Sequence, residues 1–321
     1  MPRKIRHLSK KLLGVDNLLE KQKSKHLREL NTHKSLVGFL SNVTSGHEDP
    51  SLERPFSQCV TAGQIRSPIF YDWCERINHK HQFHRKLWEW IYILQSLEFH
   101  GKNISGSRGL GFGVGKERLV SYLAGLGCEI LATDADDSVA EKSGWKKSDQ
   151  HIDEKADLNQ FGLCDRVAFD KLVTYRHMDM RSIDPELEGF DFLWSSCAFE
   201  HLGSIGIGID FVLESMECLK PGGVAVHTTE LNIGSIDQTI QHGHTVLYRR
   251  ADILRLVDAL SKMGHKVEPV NWSLGRTEED FSIQMPWDIE KSENTNLKMS
   301  FGDFVTTSFG LTVTKGGDLK E

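Results

Sequence analysis

At 321 residues, with 39% apolar and 26% charged side chains, the chain can bury one large core or two ordinary ones, which excludes a mini-protein and wholesale disorder. Six scattered cysteines form no CxxC pair, which argues against zinc-knuckle and thioredoxin-like chemistry and suits a reduced, cytoplasmic protein. The net charge of −6 divides into a basic segment, residues 1–34, with ten Lys/Arg against three Asp/Glu, and an acidic remainder that is no obvious nucleic-acid binder.

No apolar run reaches the roughly 18 residues of a membrane helix, and the basic N-terminus lacks the apolar stretch of a signal peptide. Residues 5–40 read as a helix, with Leu8, Leu12, Val15 and Leu19 at three- and four-residue steps. This predicts an amphipathic extension that docks on its own body or on a second subunit, a route to a homo-oligomer. Residues 41–68, rich in Ser, Gly and Pro, read as a linker or irregular wrap. An aromatic helix follows, with Leu87, Trp90, Ile91, Leu94 and Leu97 on one face. His79, His81 and His84 precede that face and read as a solvated helix start.

From about residue 103 short apolar runs alternate with helical stretches. Strands are predicted at 129–133, 173–177, 190–196 and 223–228, and helices at 117–126, in a polar stretch near 150–170, and at 211–219. A strong helix at 250–263 precedes strands near 265–270 and 305–314. This alternation predicts an α/β fold with a mostly parallel sheet and helices on both faces. The organisation expected is a basic helical extension and linker over 1–50, a helical cap or lead-in over 51–100, and one domain over 101–321.

The chemistry begins at Gly109-Leu-Gly-Phe-Gly-Val-Gly115. A glycine-rich turn between strand and helix lets the backbone approach a ligand and presents N–H groups to it. The P-loop pattern fails at Leu110 and Glu117, and the dinucleotide pattern G-x-G-x-x-G/A fails in every register. Glycines at every second position suit a loop that wraps a nucleoside and an amino-acid tail. Asp134 closes the next predicted strand, where a carboxylate accepts hydrogen bonds from a ribose, and Asp179 closes the third.

Together these segments resemble the class I S-adenosylmethionine (SAM)-dependent methyltransferases. Gly111-Phe-Gly113-Val-Gly115 is similar to that family's first motif, Asp134 to its ribose acid, and Asp179-Met180 to its adenine-contact position. Residues 190–203, FDFLWSSCAFEHLG, resemble its fourth-strand segment, and LKPGG (219–223) the turn before its fifth strand. The resemblance implies a Rossmann-like methyltransferase fold over roughly 103–230, SAM as cofactor, and Ser196 at the cofactor cleft. The family usually has an acid where this chain has Gly109, so another group must do that work. HRKLWEW, GLGFGVG and AVHTTE together resemble a bacterial-type branch of unassigned methyltransferases.

A hydroxyl acceptor must lose its proton near the transition state of methyl transfer. Glu200-His201 and His227-Thr-Thr-Glu230 follow the fourth and fifth predicted strands. His201 is the preferred base, because its ordinary pKa lies near neutrality, with His227 and Glu230 next. Those two could instead hold a divalent metal with His242 or His244, but no metal is assigned. Cys197 reads as packing. The function expected is methyl transfer to a small-molecule or glycan acceptor, a hydroxyl being preferred. A protein or nucleic-acid methyltransferase and a non-catalytic SAM-binding scaffold are the alternatives.

Overall fold

The computed structural model describes residues 24–25, 48–136, 152, 155–284 and 297–317. The helix expected over 5–40 lies outside them, Ser24 and Lys25 apart, as does part of the polar stretch near 150–170.

The segment read as a linker contains structure from residue 57 onward. Strand β1 (Ser57–Cys59) leads into helix α1 (Ala62–Ile65), capped by the Thr61 hydroxyl, and α2 (Pro68–Arg76), capped by Ser67 with Pro68 in its first turn. Helix α3 (Arg85–Phe99) follows, with the His84 ring accepting a hydrogen bond from the Lys86 amide at 3.1 Å. His84 therefore caps the helix, and His81 bonds the Ile65 carbonyl at 3.0 Å. Only one apolar stripe was expected on α3. Instead Leu87, Trp88, Glu89 and Ile91–Leu97 are all buried, because the helix lies between the sheet and α2.

The alternating region folds as its pattern predicts. In chain order come β2 (Arg108–Phe112), α4 (Leu119–Gly125), β3 (Glu129–Asp134), α5 (Arg166–Leu172), β4 (Val173–His177), β5 (Phe190–Ser196), α6 (Ile205–Ser215) and β6 (Leu219–Asn232). Then follow α7 (Arg250–Lys262), β7 (Lys266–Val267), β8 (Val270–Asn271), α8 (Glu278–Phe281), β9 (Ile283–Gln284), β10 (Lys298–Phe301) and β11 (Phe304–Thr314). The single strand expected near 265–270 is two short ones, β7 against β11 and β8 against β1.

Among the described residues all the strands join one sheet, whose main path is β4-β3-β2-β5-β6-β11-β1-β8. The first five are parallel; β11 runs antiparallel to β6, and β1 antiparallel to β11. This is the Rossmann-like arrangement expected from the sequence. One apolar core lies between the sheet and α3 and α4, the other between the sheet and α6 and α7. Tyr92 of α3 presses so close to β11 that a Cβ on Gly310 would stand 2.2 Å from its ring, which explains glycine in mid-strand. From β2 the chain goes outward one way to β3 and β4, then returns to build β5 and β6 on the other side. The crevice at the carboxyl ends of β2 and β5 is thus the switch point where open α/β sheets bind ligands.

Candidate active site

The glycine loop leaves β2 at Phe112 and enters this crevice. Gly113 (φ 59°) and Gly115 (φ 46°) adopt the left-handed conformation that glycine takes without strain. A Cβ on Gly113 would stand 2.9 Å from Cβ of Ala198, in the turn after β5, and one on Gly111 would stand 2.5 Å from the Trp194 ring. The three glycines therefore line a cradle closed beneath by Trp194 and opposite by Ala198. Asp134, at the end of β3, is buried; its carboxylate accepts from the Gly115 amide at 3.2 Å and the Ala135 amide at 2.8 Å. The acid expected to face a ribose thus also ties down the last glycine of the loop.

The Asp179-Met180 pair divides. Asp179 is exposed, and Arg181 grips its carboxylate with Nε at 2.9 Å and Nη2 at 2.7 Å, which holds the carboxyl below its usual range. Met180 is the member that faces the loop, its Sδ 3.5 Å from where a Gly113 Cβ would stand. Ser196 ends β5, its hydroxyl close enough to Glu117 to favour the charged form of that carboxyl.

Beyond Ser196 the chain makes a constrained turn. Cys197 has φ 46°, uncommon for a residue with a side chain. Its amide is pinned by the Thr228 carbonyl at 3.0 Å and the Thr228 hydroxyl at 3.1 Å. This turn sends the short 3₁₀ segment Phe199–His201 over the end of β5, and it points the two residues of the Glu-His pair different ways. His201 stays half-buried, with Nδ1 2.8 Å from the His244 carbonyl. That contact puts the ring proton on Nδ1 and the lone pair on Nε2. Glu200 is fully buried: one oxygen accepts from the Thr229 hydroxyl at 3.1 Å, and Oε1 has no hydrogen-bond partner. Burial pushes its carboxyl above the usual range.

His227 and Glu230 do not act together. Three residues apart on one strand, they point to opposite faces of the sheet. His227 is fully buried, 6.0 Å from the Phe199 ring and 5.9 Å from Phe211, with Nδ1 2.8 Å from the Ser195 hydroxyl. Burial pushes its pKa down to about 3, so it is a neutral core residue and a poor general base. His242 and His244 stand exposed on the loop that follows, and the metal set imagined from sequence is not assembled.

Glu230 belongs to a buried polar cluster that the sequence did not reveal. Its carboxylate meets the Arg85 guanidinium of α3 at 2.5 Å and accepts a hydrogen bond from Thr306. Arg85 also lies 3.5 Å from Glu89, which is bonded to Ser308 and lies 3.2 Å from the half-exposed Lys86 ammonium. Burial alone would raise the Glu89 carboxyl, but Lys86 and Arg85 hold it below the usual range. Cys197, Glu200 and Glu230 bring a sulfur and two oxygens within 4.8 Å of one another. Arg85 already neutralises Glu230 there, and burial keeps the Cys197 thiol protonated. The cluster therefore combines paired cations and carboxylates with the Glu200 carboxyl, raised by burial. Helix α3 and the ends of β5, β6 and β11 build it, beside the glycine cradle.

A family model described as a methyltransferase domain matches residues 110–227. No curated protein matches the sequence. Among solved structures, a SAM-dependent methyltransferase from Aquifex aeolicus is similar at 15% identity, over 69% of this chain and 88% of that one, with a TM-score of 0.37. Phosphoethanolamine N-methyltransferase 2 from Haemonchus contortus, solved with S-adenosyl-L-methionine, is similar at 18% identity, over 77% and 56%, with a TM-score of 0.42. Magnesium protoporphyrin IX methyltransferase from Synechocystis PCC 6803 is similar at 12% identity, over 78% and 95%, with a TM-score of 0.41. Among the described residues no helix is long and apolar enough to cross a membrane. The glycine cradle and the buried acid at the end of β3 lie in the matched stretch, and residues 110–227 carry a methyltransferase domain of the class I, S-adenosylmethionine-dependent kind.

Proposed function

We propose that the protein methylates a hydroxyl group on a small-molecule or glycan acceptor, and that the acceptor binds against the polar cluster between α3 and the ends of β5 and β6. Glu200 carries this reading: a buried carboxyl at the end of β5, with one oxygen held by Thr229 and the other unpartnered. A hydroxyl nucleophile must shed a proton as its oxygen is alkylated, and a carboxylate with a raised pKa is matched to that task near neutral pH.

The cradle suits SAM, because Gly113 and Gly115 turn the loop in the left-handed conformation at the switch point, and Asp134 offers a buried acceptor at its rim. Gly111, Gly113, Gly115, Asp134, Met180 and Ser196 would hold it, with Asp179 at the outer edge. When bound, the cofactor supplies an activated methyl group on a sulfonium, and the protein's task is to position and to move a proton. Thr229 orients the Glu200 carboxyl so that Oε1 takes the acceptor proton. Arg85, Lys86, Glu89 and Glu230 offer alternating donors and acceptors, which suits a neutral polyhydroxyl ligand. His201, with Nδ1 anchored on the His244 carbonyl, is the second candidate base.

We also place the protein in the cytoplasm, where its six buried thiols stay reduced, and assign oligomer formation to the basic N-terminal extension. The test is release of S-adenosylhomocysteine from SAM against panels of sugars, small alcohols, amines, peptides and oligonucleotides. Turnover with hydroxyl compounds alone supports the reading, and turnover confined to amines or macromolecules overturns it.

A further inference from the structure

Glu117 closes the glycine loop, and the mechanism above leaves it unused. Its side chain turns back beneath the loop and is buried. One oxygen accepts from the Trp194 indole N–H at 3.4 Å, and the Ser196 hydroxyl lies near enough to favour the charged form. The Trp194 ring forms the floor under Gly111, so this carboxylate lies against the base of the cradle, at the end of β5. Neither partner is charged. Among the described residues no cation forms an ion pair with Glu117, and the charges that act on it from α3, Lys86 and Glu89, have opposite signs. Burial pushes the carboxyl well above its usual range. A buried acid supported by neutral donors alone is costly, and a cation beside it removes the cost.

Strand β2 offers no alternative acid. Gly109 is the position from which a side chain would reach this side of the loop, and a Cβ there would stand 2.4 Å from the Phe192 ring and 2.9 Å from Ile130. The strand is packed shut at that point, and the only carboxylate brought under the cradle from the loop itself is Glu117.

We propose that Glu117 accepts the α-ammonium group of the cofactor's amino-acid tail. The assignment rests on the SAM-binding reading of the cradle and concerns this chain's own replacement for an acid on β2. The Trp194 indole orients the carboxylate, and the ammonium supplies the charge it lacks.

Two ligands separate this role from simple support of the loop. S-adenosylhomocysteine carries the amino-acid tail, whereas 5′-methylthioadenosine has the same nucleoside and a thioether but no tail. Isothermal titration of the full chain is expected to show that Glu117→Gln, which keeps the size and the neutral contacts, weakens S-adenosylhomocysteine by about 10- to 100-fold. Binding of 5′-methylthioadenosine should change by less than about twofold. Titration at pH 6 in buffers of different ionisation enthalpy should show the parent chain releasing a proton with S-adenosylhomocysteine but not with 5′-methylthioadenosine. That second readout decides the matter if the variant does not fold. Equal weakening of both ligands, unchanged S-adenosylhomocysteine affinity, or no differential proton release overturns the assignment. Failure of the parent chain to bind either compound overturns the cofactor reading, and this assignment with it.

Discussion

Arg85 and Glu230, 145 positions apart in the chain, meet at 2.5 Å with both side chains about nine-tenths buried. This pair ties the first turn of α3 to the end of β6 and holds the polar cluster together. Desolvating two charges is expensive, and the pair persists because Ser308 and Thr306 also bond to the same network. Arg85→Met should cost about 3–5 kcal/mol, since it strands Glu230 and Glu89 without their guanidinium. The double variant Arg85→Met/Glu230→Leu should recover much of that loss. Urea denaturation of the three proteins checks both statements.

Asp134→Ala should weaken SAM by at least about tenfold, because it removes a charge-assisted acceptor for the ribose and releases the Gly115 amide. Circular dichroism should remain native-like. Normal SAM affinity in the variant, read by titration calorimetry, would show that the end of β3 does not face the cofactor.

Glu200→Gln should lower turnover by about 10²–10⁴-fold while SAM affinity stays within about twofold. The parent rate should rise with pH as the Glu200 carboxyl, held up by burial, loses its proton. His201→Ala provides the contrast. A far larger loss in the histidine variant, or a pH profile that Glu200→Gln leaves unaltered, would return the base to His201.

His227 makes the fold sensitive to acid. Its pKa near 3 in the folded chain lies below the ordinary value of about 6.5, so the unfolded state binds a proton first. Its neutral, buried form is compatible with full stability above about pH 6.5, and a few kcal/mol are lost as pH falls toward 3. His227→Gln, which can still bond to Ser195, should flatten stability over that window. Thermal melts between pH 7 and 4 measure the difference, and identical slopes would disprove it.

The glycine loop and Asp134 could be placed from the sequence because their signals are local. The glycine spacing and an acid at the end of β3 need only strand periodicity, whereas Asp179 falls beyond the end of β4 and is held by Arg181. The polar cluster around Glu230 depends on contacts across the chain. Arg85 and Glu89 look like ordinary polar positions of a helix until β6 and β11 bring Glu230 and Ser308 to them. The reading of His227 and Glu230 as partners had a different origin. The strand was expected to stop at Thr228, whereas pairing with β11 carries β6 on to Asn232. Once the strand is known to continue, their spacing of three puts them on opposite faces. The choice between Glu200 and His201 turns on Cys197, whose left-handed backbone no local pattern announces.

Strand β1 pairs with β11 through Gln58 and Gly310, so one of the earliest elements described is held in place by the last. During synthesis, β2 to β6 can pair with one another while β1 and α3 still lack the strand they pack against. Thr306 and Ser308, which bond Glu230 and Glu89, arrive with that strand. The polar cluster must therefore assemble after the glycine loop, and a ribosome stalled before residue 304 would display the loop beside carboxylates still lacking those hydroxyl partners.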